Sequence, residues 1–162
     1  MKEIKEMIEK RDISGLIEIL MDKDIYKSTC AMDSLCSFES EAVIPLAEKL
    51  ESEDINQRWK AAMVLANIGK PAVETLLNAV ENNSSGKRPA TWALGEIGDT
   101  KTVPHLIKVL KEDKNEFDRV MAASALLRIG HEDGVREVTV ARKKEGPDFN
   151  NALGEASRSQ II

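Results

Sequence analysis

A twelve-residue pattern that recurs about every thirty residues constrains the fold of this chain more than any other feature. It reads RWKAAMVLANIG at 58–69, KRPATWALGEIG at 87–98 and RVMAASALLRIG at 119–130, with a fainter copy, STCAMDSLCSFE, at 28–39. In every copy an alanine stands seven residues, and a leucine three residues, before an apolar anchor residue. Spacings of three, four and seven residues lie on one face of an α-helix. The anchors are Phe38, Ile68, Ile97 and Ile129, the leucines are Leu35, Leu65, Leu94 and Leu126, and the alanines are Ala31, Ala61, Ala90 and Ala122.

A second apolar pattern lies between the copies and predicts a second helix in each unit. It has the same thirty-residue interval, and Val135 and Val138 continue it after a slip of two residues. Its members are Ile13, Val43, Val73 and Val103, then Leu16, Leu46, Leu76 and Leu106, then Leu20, Leu50, Val80 and Leu110. Gly69, Gly98 and Gly130 stand where glycine commonly ends a helix. The prolines that fall in predicted first turns, where proline is tolerated, are Pro45, Pro71, Pro89 and Pro104.

Two helices per unit at a period near thirty predict an all-α fold of the α-solenoid type, in which each helix pair buries its apolar stripe against the next pair. We expect a single domain over 1–162 with about five helical hairpins. The expected units are 12–40, 41–70, 71–100, 101–132 and 133–162, preceded by an N-terminal capping helix at 1–11. The cap places Ile4, Met7 and Ile8 on one face, and Ala152, thirty residues after Ala122, places the degenerate fifth unit.

The repeated pattern Arg-x-x-Ala-Ala-x-x-Leu-x-x-Ile-Gly, followed by a helix with Ala/Thr-Val-x-x-Leu, resembles HEAT repeats. More narrowly, it resembles the short variety named after the phycobilisome lyases, over roughly residues 12–162. The resemblance implies stacked helical hairpins whose second helices line a concave face. The same repeat serves scaffolds, lyases and oxygenases, so the function has to be argued from individual residues.

The outward positions of these second helices carry most of the aromatic residues of the chain. Tyr26, Trp59, Trp92 and Phe117, four of the six aromatic residues, fall there. Exposed aromatic and methionine side chains are typical anchors of protein interfaces. We therefore predict a groove that binds a peptide or helix of a protein partner, while the alternative is that both tryptophans pack against the neighbouring unit. The predicted groove residues are Tyr26, Trp59, Lys60, Met63, Arg88, Trp92, Phe117 and Met121.

The outward positions do not contain the metal-binding pairs of the HEAT-like iron oxygenases. The HEAT-like iron oxygenases carry His-Glu pairs at the starts of their concave helices. The corresponding pairs in this chain are Thr29-Cys30, Trp59-Lys60, Arg88-Pro89 and Val120-Met121, and His131-Glu132 falls in a turn. We predict a non-catalytic scaffold or assembly factor with no metal and no cofactor. A lyase-like handler of a cofactor or chromophore is the alternative, since an aromatic groove suits a tetrapyrrole.

The charge distribution argues against nucleic acid as a partner. The net charge is −5, and residues 1–54 carry fourteen acids against seven bases. Nucleic-acid affinity depends mainly on Lys and Arg that neutralise phosphates. The least favoured alternative is therefore a HEAT-like DNA-binding protein of the DNA glycosylase type. In such a protein, the residues at the damaged base would be Trp59, Trp92 and Asp33.

Apolar run lengths and cysteine spacing set the remaining expectations. The longest apolar runs are far shorter than the roughly 18 residues that span a bilayer, and MKEIKEMIEKR lacks the apolar core of a signal peptide. We therefore expect a cytoplasmic protein. Cys30 and Cys36 are separated by a rise of ~9 Å on one predicted helix, too far for a disulfide. A monomer or weak dimer is expected, because the apolar end of SQII at 159–162 leaves dimerisation open.

Overall fold

The chain is all-α in a computed structural model that describes residues 2–82 and 84–158. Over these residues there are eleven α-helices and no strand. The cap and the first helices of the units are α1 (Lys2–Glu9), α2 (Ile13–Leu20), α4 (Ser40–Leu50), α6 (Val73–Glu81), α8 (Val103–Glu112) and α10 (Glu132–Glu145). The second helices are α3 (Ile25–Cys36), α5 (Ile55–Ile68), α7 (Lys87–Ile97), α9 (Glu116–Ile129) and α11 (Pro147–Arg158). Short 3₁₀ turns, Lys70–Ala72 and Thr100–Thr102, precede α6 and α8.

The helices form two layers, as an α-solenoid requires. The first and second helices of each unit pack against each other, and each second helix also packs against the next one along the chain. Neighbouring first helices contact each other less extensively than neighbouring second helices do. Each unit expected from the sequence contains one helix of each layer, so the predicted fold class is confirmed.

Burial follows the repeated positions closely. The predicted alanine and leucine positions of α3, α5, α7 and α9 are fully buried, and so are the four leucines of the first helices from Leu16 to Leu106. Short apolar side chains at fixed helical positions therefore form one continuous core along the stack. Within the cap, Ile4 is buried and Met7 packs against the core, whereas Ile8 is 39% exposed.

The ends of the second helices are fixed by side-chain caps and glycines. Asp24 and Asp54 precede α3 and α5 and accept hydrogen bonds from N–H groups of their first turns. Gly69, Gly98 and Gly130 end α5, α7 and α9 with φ of 81°, 71° and 72°. A side chain is strained at such angles, so the predicted role of these glycines is confirmed.

Two predictions about single residues of the first helices are wrong. Pro45 lies inside α4 rather than in its first turn, because the helix begins at Ser40, just after Glu39 turns the chain with φ of 47°. Val135 is 37% exposed, whereas Val138 is buried as predicted. The second error falls where the thirty-residue interval slips.

The fifth unit has a different register from the one predicted. Ala152 is only partly buried, and the core positions of α11 are Phe149 and Leu153. Leu153 follows Leu126 by twenty-seven residues, because only Gly146 separates the fourteen-residue α10 from α11. The segment 159–162, which left dimerisation open in the sequence, lies outside the described residues.

Candidate protein-binding face

The starts of the second helices form one edge of the stack, called here the N-terminal edge: Ile25, Tyr26, Ile55, Trp59, Arg88 and Phe117. Tyr26 is 65% exposed and Phe117 is 67% exposed. Both are the second residue of their helix, and their N–H groups donate to the capping side chains of Asp24 and Asn115. The caps fix the backbone of each first turn, so both aromatic side chains project from ordered helix ends.

Trp59 and Trp92 form a packed pair that bridges α5 and α7. Their ring centroids are 5.9 Å apart at an interplanar angle of 68°, an edge-to-face arrangement. Trp92 packs against the core, and both residues are partly buried. The indole Nε1 of Trp92 is buried with no hydrogen-bond acceptor among the described residues. The tryptophans therefore pack against the neighbouring unit, as the alternative interpretation of the sequence expected, and both retain a partly exposed surface.

The Lys60 side chain binds backbone atoms of the preceding unit rather than projecting towards a partner. Its Nζ donates to the carbonyl oxygens of Leu20 at 2.8 Å and Asp22 at 2.7 Å. These carbonyls belong to the end of α2 and the loop that follows it, so Lys60 ties the second unit to the first. The positive charge predicted on the face at this position is thus largely occupied by backbone acceptors.

A related set of polar contacts was not predicted from the sequence. Arg58 Nη1 donates to the carbonyls of Ser52 and Glu53, and Arg119 Nη1 donates to those of Asp113 and Lys114. Each arginine stands ten residues before its anchor and satisfies the carbonyls of the loop just before its own helix. The signal available in the sequence is that this position is always polar: Ser28, Arg58, Lys87 and Arg119.

Arg88 links α7 to α9 at the N-terminal edge. Its Nε donates to Asp118 Oδ1 at 2.6 Å, and its guanidinium lies 5.7 Å from the centroid of the Phe117 ring. The cation over the ring orients the exposed Phe117. The Arg88 side chain remains 47% exposed, so it is the predicted basic residue that still presents charge to solvent.

A pocket lies between α5 and α7 on this edge. Its volume is about 400 Å³, and its walls include Ile55, Trp59, Arg88 and Pro89. Pockets that bind ligands have comparable volumes.

The remaining predicted groove residues, Met63 and Met121, are partly buried further along α5 and α9.

Two exposed isoleucines on this edge were also not predicted. Ile25 is 82% exposed and Ile55 is 56% exposed, and each is the first residue of its helix. The sequence does contain a signal, because both isoleucines directly follow a capping aspartate, at 24–25 and 54–55. A residue beside an N-cap lies at the open end of a helix, so a large apolar side chain there is exposed.

The described residues contain no group of three or more His, Cys, Asp or Glu that could hold a metal ion. Cys30 and Cys36 are free thiols, as predicted. Burial raises the pKa of the Cys36 thiol, and the carboxylate of Asp33 raises it further. A raised pKa disfavours the reactive thiolate. Over the same part of the chain, no helix has the length and apolar character needed to cross a bilayer.

The two helical layers, the glycine-ended second helices and the repeated buried stripe define a helical-repeat protein. Residues 57–82 and 90–112 match the PBS lyase HEAT-like repeat family. These two segments therefore carry PBS lyase HEAT-like repeats, which confirms for them the resemblance drawn from the sequence. Each matched segment begins in a second helix, α5 or α7, and ends at the close of the following first helix, α6 or α8. No curated protein matches the chain.

Proposed function

We propose that the protein is a non-catalytic scaffold or assembly factor that binds a peptide or helix of a protein partner along the N-terminal edge. The observation that carries the proposal is the exposure of four large apolar side chains at the starts of α3, α5 and α9. These are Ile25, Tyr26, Ile55 and Phe117. Exposed aromatic side chains in particular are typical anchors of interaction sites.

The spacing of these side chains suits an elongated ligand. Tyr26 and Phe117 occupy the same repeat position three units apart, twelve residues before their anchors. Neighbouring packed helices lie about 8–10 Å apart, so the two aromatic rings are separated by roughly 30 Å. A helix of about 20 residues spans that distance. Ile55 and the pocket beside Trp59 lie between the two ends, where a central side chain of the partner would insert.

The packing of the two layers supports the same location. Neighbouring second helices contact each other more extensively than neighbouring first helices. Such packing is expected of a curved stack with the second helices on its inner side, and the curvature of solenoids creates their extended binding surfaces. The cation-oriented Phe117 and the capped Tyr26 are then rigid anchors, which lowers the entropy cost of binding.

The test is capture from native lysate followed by reconstitution with the purified partner. The wild type is compared with Tyr26→Ser/Phe117→Ser, which removes exposed rings and leaves the core intact. We expect this variant to bind the reconstituted partner at least tenfold more weakly, about 1.4 kcal/mol, because two anchor side chains are lost. A Trp59→Ala/Trp92→Ala variant is less suitable, because Trp92 packs against the core.

Glu74→Ser on α6 is the matched control, because it changes an exposed residue of the first-helix layer. A partner that binds the wild type and both variants with equal affinity would contradict the proposal. The cofactor or chromophore handler stays a prediction from the sequence, as do the cytoplasmic location and the monomeric or weakly dimeric state. DNA binding is further disfavoured, since the Lys60 ammonium group is bound to the backbone carbonyls of Leu20 and Asp22.

A further inference from the structure

The opposite layer contains an open groove between α4 and α6, called here the outer groove: Ile44, Ala47, Glu48, Glu51, Thr75 and Ala79. Its volume is about 460 Å³. Ile44 is 64% exposed, and the small side chains of Ala47 and Ala79 leave room between the helices. The described residues that line the groove include two carboxylates, Glu48 and Glu51, and no basic side chain.

Elsewhere in this layer, polar bridges join neighbouring elements. Arg11, just before α2, binds Glu41 of α4 at 2.5 Å. Glu81, at the end of α6, contacts His105 of α8 at 2.6 Å. Lys111 of α8 binds Glu137 of α10 at 2.8 Å.

Within the described part of the chain, α4 and α6 have no such bridge. Glu51 stands thirty residues before Glu81, so its partner in the repeat would be the residue thirty before His105. That residue is Thr75, which has no positive charge. The carboxylates of Glu48 and Glu51 therefore border an apolar groove without the imidazole partner that Glu81 has one unit later.

We propose that the outer groove binds a basic, apolar segment of a protein partner, with a large aliphatic or aromatic side chain beside Ile44 and a Lys or Arg beside Glu48 and Glu51. Charge complementarity selects this occupant, because an acidic segment would meet two carboxylates at the rim. The apolar side chain supplies the contact area, and the cation completes the bridge missing between α4 and α6. This surface belongs to the layer of first helices and approaches the pocket of the N-terminal edge at Ser84. The proposal does not depend on the function proposed for that edge.

The test uses a phage-displayed library of random peptides of about 16 residues, long enough for a ~24 Å helix. Selection on immobilised wild type is carried out with soluble Ile44→Ser/Thr75→Lys protein as competitor, which removes peptides that bind elsewhere. We expect the enriched peptides to carry Lys or Arg within one helical turn of a large apolar residue. Synthetic copies are then measured by fluorescence anisotropy.

The expected affinity is about tenfold weaker for Glu48→Gln/Glu51→Gln, because two rim carboxylates are lost. Glu3→Gln/Glu9→Gln on α1 makes the same change in net charge and should leave the affinity unchanged. Tyr26→Ser/Phe117→Ser should also bind as the wild type does. The inference is overturned by enriched peptides without positive charge, by equal binding to the Glu48→Gln/Glu51→Gln variant, by loss of binding in Tyr26→Ser/Phe117→Ser, or by failure to enrich any peptide.

Discussion

Two contacts between second helices differ in closeness although the repeat is the same in both. α7 and α9 make the most extensive contact of this layer, and α3 and α5 make the least extensive one. In the close contact, Gly95 lies against Ala125, and a Cβ on Gly95 would be 2.9 Å from the Cα and Cβ of Ala125. The corresponding positions of the looser contact are Cys36 and Val64.

The intermediate contact, between α5 and α7, has Ala66 and Ala93 at these positions. Its extent also lies between the other two. The smaller the two side chains at these positions, the closer the two helices lie. Helices approach only as near as their contacting side chains allow. A fixed sequence interval does not impose a fixed helix spacing.

The largest effect on this comparison is expected from Gly95→Val. The added side chain overlaps Ala125 and forces α7 and α9 apart, so we expect a loss of about 3 kcal/mol in the free energy of unfolding. Urea denaturation followed by circular dichroism measures it. Gly154→Ala on α11 is the matched control, because a Cβ added there would meet nothing within 4 Å. Because alanine has a higher helix propensity than glycine, Gly154→Ala should instead raise the free energy of unfolding by about 0.5–1 kcal/mol. Equal effects of the two substitutions would contradict the packing argument.

The close contact is also held by an ion pair between Lys87 of α7 and Asp113, in the loop before α9. Replacing Asp113 by Asn removes this carboxylate from the nearly buried Lys87 ammonium group, and we expect a loss of about 2 kcal/mol in the free energy of unfolding at neutral pH. The same denaturation experiment, carried out as a function of pH, gives a second readout.

Burial raises the pKa of the Asp113 carboxyl, but the Lys87 ammonium, the Asn115 N–H and the charge of Arg119 together hold it below its usual value. Because this pKa is lower in the folded state, the stabilisation is complete above the unfolded value of about 4 and is lost as pH falls through the folded value. The wild type should therefore lose more stability than Asp113→Asn on acidification below about pH 5. If the free energy of unfolding depends on pH in the same way for both proteins, the Lys87–Asp113 pair does not cause the loss of stability in acid.

The looser end of the layer is tied by Lys60 in a different way. Its ammonium group donates to two carbonyl oxygens next to α2, so Lys60→Met keeps the aliphatic stem and removes both hydrogen bonds. We expect a loss of about 1–2 kcal/mol in the free energy of unfolding. Lys108→Met, at an exposed position of α8, is the control and should change stability by less than about 0.5 kcal/mol.

The smallest effect on stability is expected from Tyr26→Ser/Phe117→Ser. Both rings are mostly exposed, so each substitution should alter the free energy of unfolding by no more than about 0.5 kcal/mol. Thermal unfolding followed by circular dichroism is the measurement. A large loss would mean that the rings support the fold and would remove the main argument for their role in binding.

The repeated core was predictable because helical periodicity fixes the direction of each Cα–Cβ bond. Ala61 and Leu65 had to lie on one face, and any helix pair that buries this face produces the same stack. Periodicity does not determine where a long side chain ends. Lys60 points outward from α5 as predicted, yet its terminal nitrogen reaches carbonyls of the preceding unit. Such contacts depend on the distance between units, which the sequence interval does not specify.

The candidate face was predictable for the same reason only in part. Tyr26 and Phe117 are exposed because their positions point away from the core, but Trp92 is large enough to reach the core from an outward position. The register of α11 was mispredicted because the single residue Gly146 connects α10 to α11, and this short connection shortens the interval although α10 is longer than the other first helices. Phe149 consequently occupies the position that alanine holds in the other units.

Site-specific photocrosslinking reports directly whether the N-terminal edge binds the partner. The photoreactive residue p-benzoylphenylalanine replaces Tyr26, Phe117 or, as a control on α6, Glu74, and each protein is irradiated with the reconstituted partner. If the partner binds along this edge, positions 26 and 117 crosslink to the same segment of the partner, and position 74 does not crosslink. Crosslinks from position 74 without any from positions 26 and 117 would contradict binding along this edge.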